Sequence, residues 1–284
     1  MNINILGDNM IIEIIKTIIF GIVEGVTEWL PISSTGHMIL LDKFMKLNVS
    51  HEFWEVFLVV IQLGAILAVC TIYFKKLNFF LYMKNNKAKF NNSINIWKRI
   101  VVGCMPAAIL GFLLDDCLDK HFYNFPTVAL MLFIYGVLFI IVENMVKDKN
   151  TKYNDVAKIP YIIALYIGLF QVLALIPGTS RSGATILGAL LLGTNRSVAT
   201  EYTFYLAIPV MFGASLLKIV KFGFAFSSKE IIILLVGMLV AYIVSIIVIK
   251  FLLGYVKKKD FKPFGYYRIA LGILLILYYL LAIR

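Results

Sequence analysis

Charge is what this sequence has least of. Only 15% of its 284 residues are Asp, Glu, Lys or Arg, where a soluble domain of this size carries about a quarter. Apolar residues make up 61% and the mean hydropathy is +0.90, which excludes an ordinary water-soluble globule. Cysteine is nearly absent, with three in the chain. Cys70 and Cys104 fall in apolar stretches, where a free thiol behaves as a small hydrophobe, and Cys117 falls in an expected short loop without a nearby partner. No disulfide and no zinc site is expected. The opening MNINILGDNM lacks a basic n-region and a small-residue cleavage site, so no signal peptide is expected and the first apolar stretch should remain in the mature protein.

What fills the chain instead is long apolar runs. Residues 231–249 hold no charge over nineteen positions, enough helix at about 1.5 Å per residue to cross a hydrocarbon layer. Further runs lie at 53–74, 99–114, 126–142, 202–217 and 264–283. The net charge of +11 could suggest nucleic acid, but its distribution argues against that. Lys75, Lys76, Lys84, Lys87, Lys89, Lys98 and Arg99 bracket one loop; Lys147, Lys149, Lys152 and Lys158 lie in a second, and Lys257, Lys258, Lys259 and Lys262 in a third. The expected loop at 115–125 carries Asp115, Asp116 and Asp119 instead. Basic and non-basic loops alternate, as membrane topology requires. The partner these lysines imply is the lipid bilayer; no nucleic acid is expected.

The sequence also repeats itself. Gly21-Ile-Val-Glu24 returns as Gly168-Leu-Phe-Gln171, and Ser33-Ser34-Thr35-Gly36 as Ser180-Arg181-Ser182-Gly183, both 147 positions later. Glu52 and Gly64-Ala65 match Glu201 and Gly213-Ala214 at an offset of 149. The pattern predicts an all-α integral membrane protein, one membrane domain over 1–284, with repeat one at about 10–146 and repeat two at about 159–284. Each repeat should open with an apolar helix broken at a Pro and a Ser/Thr/Gly cluster, continue as a short helix (roughly 37–47 and 183–193), and end with three crossings. Helices that short read as re-entrant hairpins, tolerated where protein or a watery cavity surrounds them. Three crossings per repeat is odd, so the repeats should have inverted topology. Basic loops placed inside put both termini outside, and the polar tips of the hairpins can meet near the midplane.

The chemistry sits in those tips. Glu24 and Glu28 are i and i+4, so both carboxylates project from one helix face. Two acids that close need protonation, water or a cation between them, and a hard divalent ion bridging to phosphate oxygens would serve; a helix face that only lines water is the blander alternative. Pro31 ends the helix, and Ser33, Ser34 and Thr35 can cap the next, whose N-terminus favours an anion. His37 follows one turn later, and serine beside histidine is the minimum for an activated nucleophile, although capping alone would also explain the hydroxyls. The second tip, Pro177-Gly178-Thr179-Ser180-Arg181-Ser182-Gly183-Ala184-Thr185, puts an arginine at another helix N-terminus. Its planar fork suits phosphate oxygens; an ion pair with Glu24 or Glu28 is the alternative. Together the tips predict a site for a phosphorylated ligand, with Ser33, Thr35, Ser180, Arg181, Ser182 and Thr185 as substrate contacts.

The runs EGVTEWLPISSTGH and PGTSRSGAT resemble the two signature segments of the undecaprenyl-diphosphate phosphatase family of the bacitracin-resistance type, and the likeness extends over the whole chain, including the stretch around Gln62. The resemblance implies a bacterial plasma-membrane hydrolase that returns undecaprenyl diphosphate to the monophosphate for cell-wall synthesis, with an isoprenoid diphosphate as substrate and Mg²⁺ or Ca²⁺ as cofactor. By position, Glu24 and Glu28 take the family's acidic pair and metal sites, Ser34 and His37 its hydroxyl and histidine, and Arg181 its phosphate-binding arginine. The catalytic set expected is Ser34, His37, Glu28 and Arg181, with Ser34 as nucleophile and His37 as base or proton shuttle; a metal-activated water in place of Ser34 stays open. The outer face is the expected side of access, and a homodimer is an allowed assembly. Type-2 phosphatidic-acid phosphatases share the echoes SGH and SR but need a histidine six residues after the arginine, where this chain has Leu187. A transporter or flippase of a lipid phosphate is the competing reading, because inverted repeats with broken helices are transporter architecture.

Overall fold

The structure is a computed structural model describing residues 2–122 and 124–282, without the side chains of residues 2–9, 115–117, 119 and 282. Cys117 and the three aspartates of the acidic segment therefore fall outside the described side chains. Eleven α-helices follow in order: α1 (Asn2–Thr27), α2 (Ser34–Phe44), α3 (His51–Ile72), α4 (Phe74–Leu77), α5 (Lys87–Phe122), α6 (Phe125–Val146), α7 (Tyr161–Val172), α8 (Arg181–Leu191), α9 (Arg196–Phe222), α10 (Ser228–Tyr255) and α11 (Lys262–Ala282). No strand forms among the described residues beyond one isolated bridge between Tyr153 and Thr194.

Among the described residues, six helices are long and apolar enough to cross a membrane: α3, α5, α6, α9, α10 and α11. They coincide with the six apolar runs. Their outward faces carry large apolar side chains, such as Leu235 at 60% exposure and Ile247 at 63% on α10, a surface that suits lipid and not water. One expectation needs correcting. The acidic segment is not a loop, because α5 continues through it to Phe122. A chain leaving the hydrocarbon has no reason to stop being helical, and Asp is disfavoured in helices by only a fraction of a kcal/mol.

The order of elements is the same twice over. A first helix (α1, α7) breaks, an 11-residue helix follows (α2, α8), and three long helices complete each half (α3, α5, α6; α9, α10, α11). At about 1.5 Å per residue the 11-residue helices span about 16 Å, roughly half the hydrocarbon thickness. They begin earlier than expected, at Ser34 and Arg181, because Ser33 and Ser180 are the N-caps. Each cap hydroxyl accepts from a glycine N–H three residues on, Gly36 at 3.4 Å and Gly183 at 3.2 Å. Both serines hold φ near +73°, a conformation that non-glycine residues rarely adopt and that costs of order 1–3 kcal/mol.

The halves interlock. The first helix of each packs on the middle long helix of the other: α1 on α10 and α7 on α5. The duplicated glycines explain the closeness. A Cβ on Gly21 would sit 3.0 Å from the Gly237 carbonyl, and one on Gly168 would collide with the Gly103 carbonyl. α6 and α11 meet the same way, Gly136 against the Gly265 carbonyl and Gly265 against the Gly136 carbonyl. Small residues at such seams let backbones approach. Between the pairs lies the main core, with Trp29 fully buried and edge-on to Phe204 at 5.0 Å, so the break after α1 is anchored by the largest side chain near it.

Candidate active site

Both helix breaks turn their polar residues toward one place. Glu28 follows the last turn of α1, its N–H donating to the Glu24 carbonyl at 3.0 Å, so the two acids are one helical turn apart, as the i, i+4 spacing requires. The Glu28 carboxylate is the hub. One oxygen, Oε2, accepts from the Ser34 hydroxyl at 2.6 Å; the other, Oε1, accepts from Arg181 Nη2 at 3.1 Å. The Glu28 carbonyl accepts from the Ser182 hydroxyl at 3.3 Å. Arg181 Nη1 donates to the Thr203 carbonyl at 2.8 Å. Residues 153 apart in sequence are thus joined by a buried ion pair whose side chains are 12% and 8% exposed. Of the two partners open to Arg181 in the sequence, phosphate or a glutamate, the structure shows Glu28.

A cavity of about 130 Å³ opens on this pair, lined among others by Glu28, Ser33, Ser34, Ser180 and Arg181. A second chamber of about 200 Å³ adjoins it and shares Thr35, Gln62, Ala174 and Pro177. Glu24 opens into the second chamber, beside Met38, Ile39 and Leu58. Its carboxylate is buried, and Oε1 has no hydrogen-bond partner. An orphaned buried carboxylate oxygen one turn from a second carboxylate fits a hard divalent ion that takes its remaining oxygens from a ligand. Among the described residues no group of three or more Asp, Glu, His or Cys side chains is arranged as a metal site, so any ion held here depends on these two acids and on non-protein oxygens. Size does not mark the site: a larger cavity of about 450 Å³ lies near Lys149, Lys152, Arg196 and Lys257, in the basic loops away from the helix breaks.

The remaining expected residues are placed as follows. Thr35 lies between the two chambers. Ser182 and Thr185 are buried behind the rim of the smaller cavity; the Thr185 hydroxyl donates to the Arg181 carbonyl and meets the Thr203 hydroxyl, each at 2.8 Å. His37 does not reach the Ser34 hydroxyl, which is committed to Glu28. Its Nδ1 lies 2.7 Å from the Ser33 carbonyl and its Nε2 2.7 Å from the Tyr267 hydroxyl. A carbonyl can only accept, so Nδ1 carries the proton and Nε2 of the neutral ring accepts from Tyr267. The two rings stack at 5.7 Å with planes 5° apart.

Sequence reasoning passed over three residues here. Gln62 lines both chambers. Tyr267 and Arg268 come from α11, and Arg268 is fully buried. Its Nη1 donates to the Pro31 carbonyl at 3.1 Å; its Nη2 donates to Gly178 at 2.8 Å and Thr179 at 3.0 Å. One guanidinium therefore joins the turns of both breaks. The signal was available, since an ionisable residue inside the apolar run 264–283 marks a functional candidate.

With this geometry in place, comparison with known proteins is informative. Residues 17–274 match the family described as bacitracin resistance protein BacA. The undecaprenyl-diphosphatase of Desulfitobacterium hafniense is 58% identical over 270 residues, 95% of this chain and 97% of that protein. The enzyme of the same name from Acetivibrio thermocellus is 58% identical over 269 residues, 95% and 98% of the two chains. That from Enterococcus faecalis is 59% identical over 268 residues, 93% and 97%.

Proposed function

Because the chain belongs to the bacitracin resistance protein BacA family, we infer that it is an undecaprenyl-diphosphatase, a membrane hydrolase that cleaves undecaprenyl diphosphate to undecaprenyl phosphate and phosphate. The observation that carries the reading to the level of residues is the Ser34–Glu28–Arg181 chain of hydrogen bonds at a small cavity that adjoins the chamber holding Glu24. A hydroxyl, two carboxylates and a guanidinium gathered there suit a diphosphate head group.

The geometry supports this sequence of steps. The Ser34 oxygen attacks the terminal phosphorus while its proton passes to Glu28, the acceptor already 2.6 Å away; a base must be in hydrogen-bond reach of the proton it takes. The bond from phosphorus to the bridging oxygen breaks, and undecaprenyl phosphate leaves with that oxygen. Water then attacks the phosphoserine, phosphate leaves, and the proton on Glu28 returns to Ser34. Arg181, displaced from Glu28 onto the phosphoryl oxygens, offsets the charge that develops there, the contribution expected of a preorganised guanidinium. The N-termini of α2 and α8 both lie at this cavity, where their free N–H groups favour an anion. Glu24 and Glu28 would hold a Mg²⁺ or Ca²⁺ ion, which when bound supplies further charge neutralisation of the diphosphate. His37 in this reading does not deprotonate Ser34; its ring is positioned by Tyr267 to pass protons to and from solvent.

The duplicated order of elements and the reciprocal packing of α1 on α10 and α7 on α5 support inverted repeats with two re-entrant breaks. Basic loops inside place both termini and the α9–α10 loop outside, and the site is reached from the outer face of a bacterial plasma membrane. Cysteine placed at Phe224, 78% exposed, should react with an impermeant thiol reagent on intact cells, and cysteine at the exposed Asn150 should not; the opposite pattern overturns this orientation. The enzymatic reading is tested by purified protein in detergent, which should release phosphate from a prenyl diphosphate with no membrane gradient present. A lipid-phosphate flippase would release none.

A further inference from the structure

The two breaks carry formal charges that do not pair off evenly. Arg181 is neutralised directly by Glu28 at 3.1 Å. Arg268 is not: among the described residues its guanidinium makes no ion pair, and its partners are the carbonyls of Pro31, Gly178 and Thr179, with Met131 at a longer 3.4 Å. Tyr135 lies beneath it, 5.6 Å from ring centroid to guanidinium carbon, and Nε is left without any acceptor. A guanidinium stays charged wherever it is buried. A fully buried, uncompensated cation in a membrane protein is costly, and carbonyl dipoles solvate it only in part. Glu24, Glu28, Arg181 and Arg268 together sum to zero formal charge. Without Arg268 the other three would sum to −1 before any divalent ion binds, a poorer host for an anionic head group.

Arg268 also fixes where that charge acts. Pro31 stands three residues before Ser34, and Gly178 and Thr179 stand three and two residues before Arg181. The charge therefore lies against the turns that lead into both short helices at once. Gly178 shows how little slack the arrangement has: at φ +89° its Cβ would lie 2.6 Å from the Val128 carbonyl, so the chain is pressed against α6 where it offers its carbonyl to Arg268. Two unit charges about 10 Å apart at an effective dielectric of about 20 interact strongly enough to shift an equilibrium by roughly tenfold. A fixed charge against these turns therefore discriminates by ligand charge, favouring the more highly charged of two head groups.

We propose that Arg268 is a specificity-determining residue that aligns the two turns and supplies the unpaired positive charge by which this protein prefers a diphosphate head group to a monophosphate, so that substrate is held and product released. The proposal rests on the phosphate pocket being the one at Ser34, Glu28 and Arg181.

The test compares binding of a non-hydrolysable farnesyl diphosphonate with that of farnesyl monophosphate, each as an inhibitor and each by its effect on the thermal melting of detergent-solubilised protein. In Arg268→Gln the ratio of diphosphonate to monophosphate affinity should fall by about tenfold. In Arg268→Lys, which keeps the charge but cannot reach all the carbonyls, the ratio should stay within about threefold of the parent while kcat falls. A structural role alone would weaken both ligands equally, so an unchanged ratio in a folded glutamine variant overturns the proposal. If the glutamine variant fails to insert, Arg268→Met, uncharged and of similar length, takes its place: a ratio that falls by about tenfold supports the proposal, and an unchanged ratio overturns it. Arg181→Ala separates this from the underlying reading. Loss of both ligands there with an unchanged ratio in the Arg268 variants sinks only the present inference, whereas full binding of both ligands by Arg181→Ala sinks the pocket assignment itself.

Discussion

The two helix breaks share a backbone and divide the chemistry. At the turn into the short helix each has a serine at φ near +73° whose hydroxyl caps through a glycine N–H. Around that common frame the side chains have diverged. Glu24 corresponds to Gln171, Glu28 to Leu175, Ser34 to Arg181 and His37 to Ala184, each 147 residues apart. The first break carries both acids, the Ser34 hydroxyl and the imidazole; the second carries the cation. Gln171 stays close to Glu24 in setting: like it, Gln171 is buried with an oxygen lacking a partner. One break alone could place like charges together only at a cost, whereas two breaks 153 residues apart at Glu28 and Arg181 bring carboxylate and guanidinium to one point. The lesson is that a shared backbone supplies the geometry, and the side chains set on it assign complementary charge.

That division can be attacked one side at a time. The largest effect is expected at the hub of the first break. Glu28→Ala removes the acceptor of the Ser34 proton and the partner of Arg181 together, and phosphate release from a prenyl diphosphate should fall by about a thousandfold or more, since each lost preorganised contact typically costs about a hundred- to a thousandfold. Activity within tenfold of the parent would mean that the first break does not carry the base. On the other side, Arg181→Lys keeps the charge and loses the fork, and turnover should drop at least about a hundredfold with membrane-inserted protein at parental levels. Near-parental turnover would reduce the second break to scaffolding. Glu24→Gln gives the first break the amide that Gln171 places in the second: chelation should abolish turnover of the parent, and the variant should need roughly tenfold more free Mg²⁺ for half-maximal rate. A metal titration identical to the parent's would remove Glu24 from ion binding. Smallest is Ser182→Ala. Its hydroxyl supports the Glu28 carbonyl at 3.3 Å, a single hydrogen bond worth about 1 kcal/mol, and turnover should fall no more than a few-fold.

Much of this was legible in residue order, because hydropathy and helix periodicity are local properties. The six crossings, the two breaks, and Glu24, Glu28, Ser34 and Arg181 could be read directly, since Pro, Gly and hydroxyl residues interrupt helices wherever they cluster. The partners could not. Whether Arg181 would meet a glutamate was an open choice that only tertiary packing resolves. His37 looked like the natural base for Ser34 from its spacing alone. Residues 34 and 37 sit on one helix, but the imidazole turns back to the Ser33 carbonyl and across to Tyr267, a residue 230 positions away. Arg268 was hidden because the run around it is so apolar that one cation barely lowers the window, although a lone charge in such a run is the more informative feature.

The two positive-φ serines carry a consequence for sequence drift. At positions 33 and 180 the backbone favours glycine, asparagine or aspartate by conformation, while the cap favours serine, threonine, asparagine or aspartate by hydrogen bonding. Threonine, the nearest hydroxyl-bearing relative of serine, carries a β-branch that this backbone rejects. The substitutions tolerated at the two positions should therefore form the same short set and exclude threonine at both. Two sites 147 residues apart would then wander through the same narrow corridor of substitutions, held there by one backbone conformation even where everything around them differs.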